Sequence, residues 1–298
     1  MLLCTNYTFA MTKGYQMKKV ILITGARGIG LATAVHLAML GYTVYGTTRN
    51  ASDFEKILSK DDLKDKLHFI NMDVRKESSV KNAIDKIIQN EGRLDVVINS
   101  AAIGVYGPAE EISLEQAKEI FDVNFFGILR VLQNALPHFR KQGHGLLINI
   151  SSMAAIDPLP GTDLYSASKY AVEGLSESMA GYLSLNNIKV VLVEPGPVNT
   201  QFIAVTSVVG KRLLPDKPYG DMSQKIYNLH KEILAKGQDP TEVAKLIEEI
   251  IVSPNPNPRY QTSTAMQKIA KKYQVDPTGV QSFQEKKQFA KEVLGMGS

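Results

Sequence analysis

A tyrosine and a lysine stand four residues apart at positions 165 and 169. In a helix that spacing places Tyr165 and Lys169 on one face, one turn apart. A lysine ammonium beside a phenol favours the phenolate, so we expect it to lower the tyrosine pKa from its usual value of about 10. Such a phenol can donate a proton to a carbonyl oxygen, or take one from an alcohol, near neutral pH. Ser152, thirteen residues before Tyr165, could hydrogen-bond the same oxygen.

The Tyr–Lys pair alone is weak evidence, because the same spacing recurs on ordinary amphipathic helices. The surrounding elements add to it. Apolar runs predict buried strands at 20–24, 42–45, 67–70, 94–98, 145–150 and 188–193. Helical spacing between these runs indicates an α/β fold, a three-layer α/β/α Rossmann domain with a doubly wound parallel sheet. Ligands of such sheets bind beyond the carboxyl ends of the strands, so residues at those ends should converge on one crevice.

Composition restricts the class of protein. The chain has 298 residues, of which 44% are hydrophobic and 21% charged, as is typical of a globular protein. A net charge of +4 is too small and too dispersed to indicate nucleic acid. The single cysteine, Cys4, excludes an internal disulfide, and the histidines lack the spacing of metal ligands, so we expect no metal. No apolar run is long enough to span a bilayer, and we expect a cytoplasmic protein.

The chain divides into three parts. Residues 1–16 have neither a basic leader nor a sustained apolar core and are expected to be a disordered extension. Residues 17–261 form the Rossmann-type domain, and 262–298 a C-terminal helical tail. Within the domain, 201–238 shows no clear period and lies where a lid over the substrate would sit. Its apolar residues favour a bulky apolar ligand. His230 in this segment could touch a substrate, but a position on the surface of a helix is the expectation we favour.

A glycine loop, Thr24-Gly-Ala-Arg-Gly-Ile-Gly30, lies between the first strand and the following helix. Glycines there let the backbone approach a pyrophosphate at a helix N-terminus. An NAD site needs an acidic residue at the end of the second strand, about 20 residues further on. Thr47, Thr48 and Arg49 stand there instead. Arg49 and Arg27 can pair with the 2′-phosphate of NADP, so we expect NADP(H), although both could be solvated surface arginines.

Further motifs accompany the glycine loop and the Tyr–Lys pair: Asn99-Ser-Ala-Ala102 after the fourth strand, Asn124 in Val-Asn-Phe-Phe-Gly, and Pro195-Gly196 with Thr200. With these motifs, residues 18–200 resemble the short-chain dehydrogenase/reductase family. The stretches 165–178 and 194–202 are most similar to its hydroxysteroid and retinol dehydrogenase branch.

The resemblance implies a catalytic tetrad. Tyr165 would be the general acid/base, Ser152 would hold the substrate oxygen, and Lys169 would lower the tyrosine pKa and bind the nicotinamide ribose. Asn124 would position a water in the proton relay. Cofactor contacts are implied for Gly25, Arg27, Gly28, Ile29, Gly30, Arg49, Asp73, Val74, Asn99, Ala101, Tyr165, Lys169, Val198 and Thr200. A homodimer through the helices at 113–141 and 163–184 is implied as well.

One residue of the family's glycine loop is missing, because only Ala26 and Arg27 separate Gly25 from Gly28. We expect this to remove a polar residue near the adenosine phosphate. The leading hypothesis is an NADP(H)-dependent oxidoreductase that interconverts an apolar alcohol, steroid-, retinoid- or lipid-like, and its carbonyl. Two alternatives stay open: an acyl-thioester or small-carbonyl reductase, and a catalytically silent NADP sensor or scaffold.

Overall fold

The computed structural model describes residues 18–54, 62–203, 207–210, 219 and 221–274, with eight further positions up to 288. The strands are β1 Val20–Thr24, β2 Thr43–Thr48, β3 Leu67–Asn71, β4 Val96–Asn99, β5 Gly104–Tyr106, β6 Gly145–Ile150, β7 Ile188–Glu194, β8 Ser207–Val209 and β9 Arg259–Gln261. The helices are α1 Ile29–Met39, α2 Glu77–Glu91, α3 Leu114–Phe121, α4 Gly127–Gln142, α5 Asp163–Ser184, α6 Met222–Ala235, α7 Pro240–Val252 and α8 Thr264–Tyr273.

Seven of these strands form one parallel sheet in the order β3-β2-β1-β4-β6-β7-β9. Alternate residues of β1 enter different apolar clusters, since Leu22 packs in one with α2, α4 and α5 and Ile23 in the other with α1 and α7. Helices therefore cover both faces, and the predicted three-layer Rossmann fold is confirmed. The strand order reverses between β1 and β4, where this architecture places its ligand crevice.

The predicted strands of the main sheet are all present, and so is the last strand β9. The structure adds a two-stranded parallel sheet of β5 and β8. It also contains α6 within 201–238, where the sequence showed no period. Helix α8 agrees with the expected start of the tail. The expectation for residues 1–16 lies outside the described residues, and so does most of the second tail helix.

A π-helical turn, Asp122–Phe126, joins α3 to α4. Helix α3, the π turn and α4 therefore form one nearly continuous helical run. The extra residue of a π turn redirects one side chain, and such turns are frequent at functional sites. Here it buries Asn124 completely, at 0% exposure. Among the described residues, no helix is both long and apolar enough to cross a membrane.

Candidate active site

A cavity of about 480 Å³ lies at the carboxyl ends of the central strands. Most of the residues singled out in the sequence line it: Gly25, Arg27, Gly28, Ile29, Arg49, Asp73, Val74, Ala101, Ser152, Tyr165, Lys169, Val198 and Thr200. Gly30, Asn99 and Asn124 are not among its lining residues. The strand ends thus bring together residues that are far apart in sequence.

The glycine loop forms one wall of this cavity through its backbone. Gly25 and Gly28 have φ angles of 67° and 51°, which only glycine adopts readily. A Cβ on Gly25 would lie 2.6 Å from Cα of Ala101, and one on Gly30 would lie 2.3 Å from the Gly25 oxygen. Gly30 is therefore needed to pack α1 against the loop rather than to reach the cavity. The exposed backbone at the start of α1 is the arrangement that holds a phosphate.

The Asn99 side chain forms a hydrogen bond in the protein interior and does not line the cavity. Its Nδ2 donates to Oδ1 of Asn149 at 2.8 Å, and Nδ2 of Asn149 donates to Oγ of Ser176 on α5 at 2.8 Å. Asn99 is 2% exposed. The last residue of β4 turns its side chain towards Asn149 and α5. The cofactor contact implied for Asn99 stays a prediction. The network ties β4 and β6 to α5.

The candidate catalytic group lies where β6 ends and α5 begins. The hydroxyls of Tyr165 and Ser152 are hydrogen-bonded to each other. Ser152 Oγ also accepts from the Ala154 amide at 3.1 Å, which fixes the serine side chain. Lys169 Nζ donates to the Ile150 carbonyl at 2.9 Å and lies 5.9 Å from the centre of the Tyr165 ring. The tyrosine, serine and lysine are thus assembled without further movement of the backbone.

The pKa values of Tyr165 and Lys169 are shifted from their ordinary values in opposite directions. Burial raises the pKa of Tyr165, and the hydrogen bond from Ser152 only opposes that shift. Burial lowers the pKa of Lys169 to about 8, while the carboxylate of Glu173 opposes the fall. The expected lowering of the tyrosine pKa is therefore not found in the protein alone, because desolvation outweighs the hydrogen bond from Ser152. At neutral pH the phenol is protonated and able to donate.

Asn124 has a structural role in this arrangement. Its Oδ1 accepts from the Ile103 amide at 2.9 Å, and its Nδ2 donates to the Ile103 carbonyl and to Ser168 Oγ, each at 3.0 Å. The side chain therefore fastens the chain before β5 to α5. The water relay expected of Asn124 stays a prediction, and its amide group is already bonded to protein atoms.

His230 lines the cavity, so the expected surface position is wrong. Its ring lies 4.5 Å from that of Tyr106, and its Nδ1 lies 3.0 Å from the Ile226 carbonyl. Burial lowers the pKa of His230, which favours the neutral imidazole. The spacing of Ile226, His230 and Ile233 in the sequence could have indicated the inward face of α6. Around it the wall is largely apolar, formed by Tyr106, Val123, Met153, Leu159, Phe202, Ile233, Leu234, Met266 and Ile269.

Arg75 is a cavity residue that the sequence did not single out. It donates from Nε to Oδ1 of Asp73 at 3.0 Å and from Nη2 to Oδ2 at 2.8 Å. The Arg75 guanidinium holds the pKa of Asp73 below its usual value. Arg75 thus binds both carboxylate oxygens of Asp73 and compensates its charge.

Comparison with known proteins agrees with this fold and site. Residues 19–207 match the family model described as short chain dehydrogenase. The chain is 35% identical over 242 residues to 3-ketodihydrosphingosine reductase of Bacteroides thetaiotaomicron, covering 80% of this chain and 85% of that protein. It is 32% identical over 274 residues to human retinol dehydrogenase 8, covering 88% and 86%. It is 31% identical over 274 residues to human 17-beta-hydroxysteroid dehydrogenase type 1, covering 88% and 83%.

Solved structures similar to this chain include complexes with nicotinamide cofactors. ElxO with NADP bound is 25% identical, with a TM-score of 0.68 over 85% of this chain and 100% of that one. A short chain dehydrogenase/reductase from Burkholderia phymatum in complex with NAD is 23% identical, with a TM-score of 0.75 over 87% and 94%. The latter likeness concerns the fold alone.

The chain belongs to the short-chain dehydrogenase/reductase family, as its fold, its cavity and the family match together establish. Within that family it is a member of the hydroxysteroid and retinol dehydrogenase-like branch. It is therefore an oxidoreductase that acts on CH–OH or carbonyl groups.

Replacing Asn124 with alanine should destabilise the fold. The Asn124→Ala change leaves the Ile103 amide and carbonyl without their partner, so we expect the free energy of unfolding to fall by about 1–3 kcal/mol. Urea denaturation followed by circular dichroism measures this. Asn134→Ala is the matched control, because Asn134 makes one bond, at 2.8 Å, to Arg130 within α4. Equal losses in the two variants would contradict the structural role of Asn124.

Proposed function

We propose that this chain interconverts a bulky apolar alcohol and its ketone or aldehyde with NADP(H), using Tyr165 as general acid/base. The proposal rests on one observation, namely that the residues expected to bind the cofactor and the substrate line the same cavity. The glycine loop, the Ser152–Tyr165–Lys169 group and a largely apolar wall all face the same cavity. A cofactor on the loop and a substrate on the apolar wall would therefore meet beside the tyrosine.

The roles of the side chains follow from their geometry. NADPH, when bound, supplies a hydride to a carbonyl carbon. The hydroxyls of Ser152 and Tyr165 are already hydrogen-bonded and can both face the carbonyl oxygen. Tyr165 gives its proton to that oxygen as negative charge develops there. The Lys169 ammonium, 5.9 Å from the ring centre, stabilises the phenolate that remains.

The charges at the cavity rim favour NADP over NAD. Arg27 and Arg49 line the cavity, and the Arg27 guanidinium lies 5.7 Å above the ring of Phe54. Asp73 is bound by Arg75 and does not replace the acidic residue of an NAD site. The similar solved structures include complexes with NADP and complexes with NAD, so they support a nicotinamide cofactor without choosing between the two. Our preference for NADP rests on Arg27 and Arg49.

The substrate side of the cavity supports an apolar molecule, with residues 201–238 as its lid. Helix α6 contributes His230, Ile233 and Leu234 to the wall. The chain just before the lid is bonded to the end of the lid. The Asn199 amide donates to the Gln238 carbonyl at 2.9 Å, and Val198 forms a parallel β-bridge with Gln238. Two relatives are named for 3-ketodihydrosphingosine and for retinol, and we carry that class of substrate to this chain as part of the proposal.

Titration with NADPH and NADH, followed by nicotinamide fluorescence, tests the cofactor. We expect NADPH to bind more tightly than NADH, and Arg49→Ala or Arg27→Ala to weaken NADPH by about 10–100-fold, as loss of a charge-assisted hydrogen bond predicts. NADH affinity should not change. Arg140→Ala, on α4 and away from the cavity lining, is the control. Equal affinities for both cofactors in the unmodified protein would contradict the proposal that Arg27 and Arg49 favour NADP over NAD.

Replacing Tyr165 with phenylalanine tests the acid/base role. We expect Tyr165→Phe to reduce turnover of apolar ketones by about 10²–10⁴-fold, the usual contribution of such a group, while NADPH affinity is retained. Tyr170→Phe, on the exposed side of α5, should keep full activity. If the unmodified protein binds NADPH and converts ketones, aldehydes and acyl-thioesters equally poorly, the silent sensor is the better account.

We further propose a homodimer through the helices at 113–141 and 163–184. Three large apolar side chains on this surface are exposed, namely Leu114 at 72%, Phe126 at 45% and Tyr170 at 49%. Light scattering should give twice the mass of the chain, and Phe126→Glu should shift it towards the monomer. A monomer at all concentrations would contradict the dimer. A cytoplasmic location stays a prediction from the sequence.

A further inference from the structure

A buried group of charged side chains continues along α5 from the active site. Glu173 follows Lys169 by one helical turn and Glu177 follows it by two. Arg259 on β9 and Glu194 on β7 face the same helix. Lys169, Glu173, Glu194 and Arg259 are all between 0% and 7% exposed. These are two positive and two negative buried charges, with the half-buried Glu177 beside them. Buried charges destabilise a fold unless each is paired with an opposite charge.

Arg259 organises the carboxylates of this group. Its Nη1 donates to Glu194, and its Nε and Nη2 donate to Glu177 at 3.1 and 2.5 Å. The same Nη1 lies 2.5 Å from Oε2 of Glu173. Gln261 donates to the second oxygen of Glu194 at 2.6 Å. Since one guanidinium serves three carboxylates, the charge of Glu173 is only partly compensated by it.

The other cation that senses Glu173 is Lys169. The carboxylate raises the pKa of Lys169 against the effect of burial. Burial and Glu194 raise the pKa of Glu173 itself to about 7, while Arg259 opposes that rise. Glu173 and Lys169 lie one helical turn apart on α5, and both are buried. The charged group therefore reaches the active site along α5.

We propose that Glu173 is a positioning residue that acts through Lys169. Its carboxylate, held by Arg259, keeps the Lys169 ammonium charged and directed to the Ile150 carbonyl beside Tyr165. This inference rests on the proposed role of Lys169, but the charge of Lys169 can be measured without cofactor or turnover.

Titration of lysine side chains by NMR, with ¹⁵N-labelled lysine, tests the inference directly. The Lys169 signal is assigned by its loss in Lys169→Arg, and its midpoint is expected at about pH 8. Glu173→Gln should lower that midpoint by at least about one pH unit, because a nearby buried charge is removed. Glu177 also binds Arg259 but lies two helical turns from Lys169. Glu177→Gln therefore removes a carboxylate charge at a greater distance and should leave the Lys169 midpoint unchanged.

A second variant distinguishes loss of the Glu173 charge from misfolding of the protein. Glu173→Asp keeps the charge and retracts it by one methylene, so it should lower the midpoint by a smaller amount than Glu173→Gln. The alkaline limb of kcat/KM for ketone reduction should move with the NMR midpoint. An unchanged midpoint in a folded Glu173 variant would overturn the inference and leave the proposed function intact. Absence of turnover in the unmodified protein would overturn the proposed function, and the NMR result would still decide the inference.

Discussion

The buried ammonium of Lys169 is the constraint on which the active site depends. A charge at 3% exposure is unfavourable unless the fold supplies partners for it. The Ile150 carbonyl at the end of β6 accepts its hydrogen bond, and the carboxylate of Glu173 one turn along α5 favours the charged form. Helix α5 packs against β7, and from there Lys169 reaches the end of β6. The same packing brings Tyr165, one turn before Lys169, to the open end of the sheet.

Burial sets the proton balance of this site. It keeps the phenol of Tyr165 protonated, and it brings the pKa of Lys169 down to about 8. A neutral phenol beside an ammonium is arranged to donate a proton to a carbonyl oxygen, whereas alcohol oxidation needs the phenolate. Reduction should therefore be favoured near neutral pH, and it should weaken above about pH 8 as Lys169 loses its proton. The hydrogen bond from Ser152 opposes the rise of the tyrosine pKa.

The sequence predicted the central sheet well because its strands are continuous apolar runs buried on both faces. It did not predict β5 and β8, since a three-residue pairing between distant segments leaves no local pattern. Gly25 and Gly28 line the cavity as the loop pattern indicates, because their backbone forms its wall, and their cofactor contacts stay predictions. The sequence did not show that the Asn99 side chain bonds Asn149, since strand alternation decides where it points. It did not place His230 in the cavity wall, because the inward face of α6 depends on the helix's tertiary packing. The tyrosine pKa depends on burial, which residue spacing does not report.

The central claim is that cofactor and apolar carbonyl meet beside Tyr165 in one cavity. Single-turnover mixing of the NADPH-loaded protein with bulky apolar ketones, followed by loss of nicotinamide fluorescence and by product analysis, tests it most directly. The account predicts stoichiometric loss of NADPH with formation of the matching alcohol, and a loss that is slower by about 10²–10⁴-fold in Tyr165→Phe. Tight NADPH binding without alcohol formation from any ketone or aldehyde would contradict it.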